Sequence, residues 1–193
     1  MNHDSYSDDT IRGILLGVKR IAMVGASANP ARPSFFVLKY LSERGFTMLP
    51  INPALAGGAI LGLPVYASLA DAPGPIDMVD VFRNSEAAGA IVDEALALDP
   101  LPRVVWMQLG VRNDAAAERA EAKGVEVVMN RCPKIEYGRL SSEIAWMGVN
   151  TRTITSKKAT VSGGIQRLSL NRTSARGGAT DAAERAERED SGA

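Results

Sequence analysis

Short apolar segments alternate with helical patterns along the chain from Ile11 to about Gly138. This alternation is typical of repeated βα units, in which buried parallel strands are joined by helices that cover the sheet. We therefore expect an α/β protein with a Rossmann-like, doubly wound and mostly parallel five-stranded sheet and helices on both faces. The predicted strands are residues 21–24, 46–51, 78–82, 104–107 and 125–129.

Right-handed crossovers between these strands most simply give the strand order 3-2-1-4-5. In an open sheet of this kind, ligands bind beyond the carboxyl ends of the strands, where the strand order reverses. The loops that follow the five strands are therefore the candidate binding loops. They are residues 25–34, 52–53, 82–85, 108–110 and 130–133.

Polar residues with a preference for the N-cap position stand at the start of three predicted helices. These are Ser34, Ser85 and Asn113, each directly before a helical pattern. Gly45 and Gly124 are placed where a helix ends in the left-handed backbone conformation. These residues predict the boundaries of the helices that separate the strands.

The 193 residues are enough for one domain with an appendage. We expect a flexible N-terminus over 1–9 and the Rossmann-like domain over 10–150. In the remaining tail, 151–193, the stretch 151–178 has six cations and no acid, whereas 181–190 is acidic and rich in alanine. Such a composition buries little apolar surface, so the tail is predicted to be disordered.

Two residue types that serve much of enzyme chemistry are scarce. The chain has one histidine, His3, and one cysteine, Cys132. A Ser-His-Asp triad, a Cys-His pair and a multi-histidine zinc site each require an ordered imidazole, and His3 lies in the predicted flexible end. We therefore expect no hydrolase or metalloenzyme of these classes and no metal site.

The distribution of apolar residues also limits where the protein works. No apolar run in the chain approaches the length of a membrane-spanning helix. The polar, acidic first residues lack the basic and then apolar pattern of a secretory signal. We expect a cytoplasmic protein that does not interact with membranes.

The loop after the first predicted strand begins Val24-Gly25-Ala26-Ser27. A glycine there permits a sharp turn and leaves backbone amides available to a phosphate near the next helix; the alternative is a turn glycine without a ligand. The NAD fingerprint requires three glycines and an acid at the end of the second strand, but that strand ends Ile51-Asn52-Pro53. Arg32 precedes the next helix, where a guanidinium can bind phosphate oxygens in a bidentate manner. This loop predicts a phosphate-bearing ligand other than NAD.

Six segments of the chain together resemble a known family. They are Val24-Gly25-Ala26-Ser27, Arg32-Pro33-Ser34, Pro50-Ile51-Asn52-Pro53, Asp80-Val81-Phe82-Arg83-Asn84-Ser85, Trp106-Met107-Gln108-Leu109-Gly110 and Asn130-Arg131-Cys132-Pro133. In this order they resemble the small bacterial and archaeal CoA-binding proteins, the group that contains YccU. That group is similar to the CoA-binding domain of the succinyl-CoA synthetase α subunit and of NDP-forming acyl-CoA synthetases. The resemblance covers about Thr10 to Leu140.

The resemblance implies noncovalent binding of coenzyme A or an acyl-CoA, with the nucleotide part over the first two βα loops. Among the residues it assigns there, Arg32 and Ser34 would contact phosphate oxygens. Asn52 and Pro53 would border the adenosine part. The full set at the nucleotide end is Gly25, Ala26, Ser27, Arg32, Pro33, Ser34, Asn52 and Pro53.

The resemblance also implies a path for the pantetheine arm of the coenzyme. Val81, Phe82 and Arg83, at the end of the third predicted strand, would line this path. Gln108 and Cys132 lie at neighbouring strand ends, where they would meet its far part.

Catalysis is not expected. Succinyl-CoA synthetase works with a phosphorylated histidine in a later domain and with a partner subunit, and a shared domain does not transfer that activity. Cys132 lies between two cations and could exchange with the thiol of coenzyme A if its pKa were lowered; the alternative is a buried structural cysteine. Asp77, Asp80 and Glu136 are interpreted as helix caps or surface charges rather than as acid–base groups.

Two further functions stay open from the residues. One is an NADP-dependent oxidoreductase that uses the same crevice, because the absence of the NAD-type acid does not by itself select coenzyme A. The other is an interaction protein that acts through its basic tail, although nucleic acid is not an expected partner, since 151–178 has no aromatic residue for base stacking. An acyl-CoA-utilising enzyme is an expected partner, and both a monomer and a homodimer fit the sequence.

Overall fold

The structure is a computed structural model that describes residues 2–141 of the chain. The predicted tail, 151–193, and the end of the predicted domain lie outside the described residues. The fold-class prediction is confirmed: helices alternate with strands that form one parallel sheet. The strands are β1 (Arg20–Val24), β2 (Thr47–Ile51), β3 (Ala59–Ile60), β4 (Leu63–Pro64), β5 (Met78–Val81), β6 (Val104–Met107) and β7 (Glu126–Val128). The helices are α1 (Asp8–Gly17), α2 (Pro33–Glu43), α3 (Ser85–Ala95), α4 (Asp114–Ala122) and α5 (Pro133–Leu140).

The main sheet has the order β2-β1-β5-β6-β7, and all four of its strand pairs are parallel. Numbered by the five predicted strands, this order is 2-1-3-4-5, so the predicted order 3-2-1-4-5 is wrong. The short strands β3 and β4 form an antiparallel pair between β2 and β5, outside the five predicted strands.

The outer edge of β2, where the predicted order places the third strand, is contacted by another segment. Ile51 pairs there with Tyr66, whose backbone N–H donates to the Pro50 carbonyl at 2.9 Å and whose carbonyl accepts from Asn52 N–H at 2.9 Å. β5 pairs with the other side of β1. The strand order therefore reverses between β1 and β5, and the loop after β1 lies beside the loop that begins at Phe82.

Helices cover both faces of the sheet, as predicted. Because side chains alternate along a strand, each strand supplies residues to both hydrophobic clusters. One cluster contains α3 and α4, and the other contains α1 and α2 with α5 packed against it. Among residues 2–141, no helix is long and apolar enough to cross a membrane.

The helix caps differ from the prediction at two of three positions. The side chain of Asn113 caps α4 as expected, by accepting from Ala116 N–H. Ser34 is not an N-cap: proline at the first helical position starts α2 one residue earlier, and Ser34 is buried inside the first turn. Asn84, rather than Ser85, caps α3 and accepts from Ala87 N–H at 2.9 Å.

The first residues contact the domain. The Tyr6 hydroxyl accepts from Met129 N–H at 2.8 Å, and Asp4 pairs with Arg112 at 2.7 Å. Helix α1 begins at Asp8, inside the stretch 1–9 that the sequence predicts as flexible. These contacts hold Asp4 and Tyr6 against the loops that follow β6 and β7.

Candidate functional site

The loop after β1 turns at Gly25, which has a positive φ of 91°. The N–H groups of Gly25 and Ala26 both donate to the carbonyl oxygen of Ile51, at 3.0 and 3.3 Å. These two amides are therefore used inside the protein, and the prediction that they are available to a phosphate is wrong. Their contribution is to hold the loop against the end of β2.

Side chains give the rest of this loop its shape. The Ser27 hydroxyl oxygen accepts from Asn29 N–H at 3.1 Å, and the Asn29 side chain accepts from Ala31 N–H at 2.8 Å. A hydroxyl that accepts one hydrogen bond keeps its own hydrogen as a donor. Ser27 therefore retains a donor that an anion at this edge of the sheet can accept.

Asn52 joins the first two loops of the site. Its side-chain nitrogen donates to the Ala26 carbonyl at 2.7 Å, and its side-chain oxygen accepts from Ala54 N–H at 3.0 Å. Both ends of the amide are thus bonded within the protein, and Pro53 begins a short 3-10 helix, residues Pro53–Leu55. Asn52 acts as a strut that positions the end of β2 relative to the loop after β1.

Two arginines at this edge carry unpaired charges. Arg32 caps α2 through its backbone, and Arg83 follows β5 directly after Phe82. Both residues are exposed, and neither guanidinium makes a hydrogen bond or an ion pair with any of residues 2–141. Unpaired cations at the carboxyl end of a parallel sheet form an environment that favours an anionic ligand.

A cavity of about 580 Å³, named here the β6 cavity, lies between the N-termini of α2 and α5 and the end of β6. Arg83 and Lys134 are its charged residues, and no Asp or Glu from the described part of the chain lines it. Its remaining walls are mostly apolar. The predicted site residues among its lining are Pro33, Phe82, Arg83, Gln108 and Cys132.

A buried carboxyl group lies next to the floor of the β6 cavity. Asp80 is fully buried in β5, and the Gln108 side-chain nitrogen donates to its two carboxyl oxygens at 2.9 and 3.2 Å. Burial raises the pKa of Asp80 to about 7, and the hydrogen bond from Gln108 lowers it in part. The interpretation of Asp80 as a cap or a surface charge is therefore wrong.

The thiol group of Cys132 also lines this cavity. It stands at the N-cap of α5 and is buried. Burial raises the pKa of its thiol, and the charge of Asp80 raises it further. This environment favours the thiol over the thiolate, which is the opposite of what nucleophilic thiol exchange requires.

A second cavity, of about 240 Å³, lies at the ends of β1 and β2 beside α3 and is named here the β2 cavity. Its lining includes Gly25, Asn52 and Pro53 from the predicted nucleotide end, with Ser68 and Glu94 opposite. Arg83 lines both this cavity and the β6 cavity. The two cavities therefore meet at one side chain, on either side of the reversal in strand order.

The structure brings most predicted site residues to this edge, with three exceptions. Ala26, Ser34 and Val81 line neither cavity, and their side chains are buried. Ser27 and Arg32 lie on the loop between the cavities and line neither of them.

Several residues that line the two cavities were not predicted as site residues from the sequence. Phe36 and Lys134 line the β6 cavity, and Ser68 lines the β2 cavity. Phe36 carries a signal in the sequence, because Phe35 and Phe36 are adjacent in an amphipathic helix and cannot both face the core. Ser68 carries none, since the 67–68 segment reaches the site only through the edge pairing of Tyr66.

Comparisons with known proteins identify the family to which the domain is related. Residues 19–138 match a family model described as a CoA binding domain. The chain is 38% identical over 127 residues to the uncharacterized protein YneT of Bacillus subtilis strain 168, and the match covers 66% of this chain and 91% of YneT.

Solved structures support the same relationship. A protein from Thermus thermophilus is 38% identical with a TM-score of 0.66, and the match covers 70% of this chain and 99% of that one. A hypothetical protein from Pyrococcus horikoshii OT3 is 36% identical with a TM-score of 0.67, covering 73% and 96% of the two chains. The residues matched by the family model, 19–138, include all five candidate binding loops.

Proposed function

The chain belongs to the family of CoA-binding domains, and from this premise we propose that it binds coenzyme A or an acyl-CoA noncovalently across the carboxyl ends of its strands. The observation that carries the proposal is the pair of cavities that meet at Arg83. A ligand with a compact nucleotide end and a long flexible arm fits two cavities joined in this way.

The two ends of the coenzyme are assigned by the chemistry of each cavity. The adenosine part occupies the β2 cavity, where Asn52 and Pro53 form one wall and Ser68, whose hydroxyl donates to Asp71, forms another part of the lining. The pantetheine arm passes Phe82 and Arg83 and enters the β6 cavity toward Gln108. In either direction the ligand lies across the reversal in strand order, where doubly wound sheets bind their ligands.

The phosphates lie between the two cavities in this proposal. Arg32 and Arg83 are exposed and unpaired among the described residues, so binding an anion breaks no existing ion pair. Ser27 adds a hydroxyl donor on the same loop. Hydrogen bonds between a guanidinium and a phosphate are charge-assisted and can be bidentate, which supports the assignment of the diphosphate to this region.

We assign no catalytic step to this chain. Cys132, the one cysteine of the chain, lines the cavity proposed for the arm of the coenzyme. The raised pKa of its thiol opposes thiolate chemistry. The proposed role is to hold coenzyme A or an acyl-CoA, either as a carrier or as a detached subunit of an acyl-CoA-utilising enzyme. Whether the protein acts as a monomer or a homodimer is decided by the same experiment that tests binding.

The test combines native mass spectrometry with calorimetry. Native spectra of freshly purified protein report any retained ligand mass and the subunit count. Calorimetric titrations of ligand-free protein with CoA, dephospho-CoA and NADPH then rank the three ligands. We expect CoA to bind and NADPH not to compete; tight NADPH binding without CoA binding would support the oxidoreductase and overturn the proposal.

A further inference from the structure

The mouth of the β6 cavity carries two large apolar side chains in contact with solvent. Phe36 on α2 is 51% exposed, and Leu109 after β6 is 58% exposed. Both line the cavity, together with the valines Val37 and Val111 and with Ile135 of α5. Large exposed apolar groups gathered around one concave opening indicate a surface that is covered by a ligand.

The pantetheine arm of coenzyme A is only partly apolar, because two amides and a thiol interrupt its methyl and methylene groups. The cavity side chain best suited to those amides is Gln108, and its nitrogen already donates to Asp80. The apolar surface around Phe36, Leu109 and Ile135 suits an apolar group carried beyond the end of the arm. An alkyl chain attached to the sulfur would extend the ligand into this surface.

The charge around the cavity also discriminates among acyl groups. Asp80 lies fully buried next to the floor, so a carboxylate at the far end of an acyl group would approach another acid. Of the cations, Arg83 is assigned to the phosphates, and the Lys134 ammonium lies 5.6 Å from the ring centroid of Tyr40. A terminal carboxylate would therefore meet both the buried Asp80 and the Lys134 ammonium, whereas the apolar lining around Phe36 and Leu109 favours a neutral alkyl chain.

We propose that the β6 cavity is an acyl subsite and that the ligand is an acyl-CoA with a short or medium saturated chain. The proposal rests on the proposed function, because the chain reaches the cavity only if the coenzyme binds along the strand ends. In it, Phe36 and Leu109 cover the alkyl chain from opposite sides of the mouth, and Gln108 lies near the thioester end of the arm.

The test is a chain-length series measured by calorimetry with CoA, acetyl-CoA, butyryl-CoA, hexanoyl-CoA and succinyl-CoA. Burying one methylene group raises affinity by roughly fourfold, so butyryl-CoA, which has two more methylene groups, should bind about fifteenfold more tightly than acetyl-CoA. Succinyl-CoA, of similar length to butyryl-CoA, should bind more weakly than butyryl-CoA. Equal affinities along the series, or tightest binding of succinyl-CoA, would overturn the acyl subsite and leave the proposed function standing.

Variants at the mouth make the test specific. Phe36→Ala and Leu109→Ala should each lower the ratio of hexanoyl-CoA to CoA affinity by about fivefold or more. Leu101→Ala is the matched control: Leu101 is also an exposed leucine, and it precedes β6 at the opposite end of the sheet. An unchanged ratio in both mouth variants would contradict the proposal. It would also be contradicted if sedimentation showed that the two substitutions dissociate a homodimer while the ratio of affinities stays the same. Failure of every ligand in the series, including CoA, would instead contradict the proposed function itself.

Discussion

A Cβ atom added to Gly25 would lie 2.6 Å from the carbonyl oxygen of Phe82. The first loop of the site thus packs directly on the backbone that follows β5, at the point where the strand order reverses. The same Cβ would lie 3.1 Å from the Cδ atom of Arg83, the side chain shared by the two cavities. Glycine at this position sets the distance between the proposed nucleotide and pantetheine parts of the site.

Gly25→Ala should destabilise the protein more than an ordinary substitution at a left-handed glycine. Alanine at a positive φ costs about 1 kcal/mol or somewhat more, and the clash with the Phe82 carbonyl adds about 1–3 kcal/mol. Gly45→Ala is the matched control, because Gly45 has a φ of 88° and open space where a Cβ would stand. Urea denaturation of both variants measures the difference; equal losses of unfolding free energy would show that residue 25 tolerates the contact.

Asp80 should make the stability of the protein depend on pH between about 4 and 7. Its pKa is raised from 3.8 to about 7 in the folded state, chiefly by burial, so the folded protein binds this proton more tightly than the unfolded chain. The contribution of Asp80 is therefore fully present below about pH 4 and is lost as the pH rises through about 7. Over this range the unfolding free energy should fall by an amount on the order of a few kcal/mol.

Asp80→Asn isolates this contribution, since the amide has nearly the same shape and does not titrate in this range. Urea denaturation at a series of pH values should give a curve for the variant that falls less between pH 4 and 7 than the wild-type curve does. Parallel curves for the two proteins would mean that Asp80 is not the group responsible.

Arg32→Ala and Arg83→Ala should each weaken CoA binding by about tenfold or more, because each removes charge-assisted hydrogen bonds to phosphate. Lys19→Ala should change the affinity by no more than about twofold. Lys19 is also an exposed cation, but it precedes β1 at the opposite end of the sheet. Calorimetric titrations measure the CoA affinity of all three variants. A loss of affinity in Lys19→Ala as large as in the two arginine variants would mean that overall charge, rather than contact with phosphate, causes the losses.

Comparing CoA with dephospho-CoA locates the phosphate that Arg32 contacts. If Arg32 contacts the diphosphate, Arg32→Ala should weaken both ligands by the same factor, since both contain it. A loss confined to CoA would move Arg32 to the ribose phosphate and would contradict the assignment made here.

Cys132 should react slowly with alkylating reagents. Its thiol is buried and burial raises its pKa, so alkylation by iodoacetamide near pH 7.5 should be at least about tenfold slower than that of a small free thiol. Intact-mass spectrometry follows the modification, with denatured protein as the control that reacts rapidly. If the folded protein reacted at the rate of a small thiol, Cys132 would again be a candidate for thiol exchange with coenzyme A.

Local sequence patterns were sufficient to predict the elements that carry the site. The apolar segments before Gly25, Asn52 and Phe82 predicted strands, and the loops after them lie at one edge of the sheet in the structure. These features depend on side-chain periodicity and on residues with special backbone preferences, which act over a few positions of the chain. The family resemblance then indicated the ligand class that is proposed for those loops.

Tertiary structure alone decided which strands are neighbours and which polar groups are buried. Tyr66 pairs with Ile51 at the outer edge of β2, and β5 pairs with the other side of β1. Asp80 is as polar as any surface acid in the sequence, and it is buried because β5 is covered on both faces. Strand adjacency and burial depend on contacts between segments far apart in the chain, whereas periodicity and turn propensity depend on neighbouring residues.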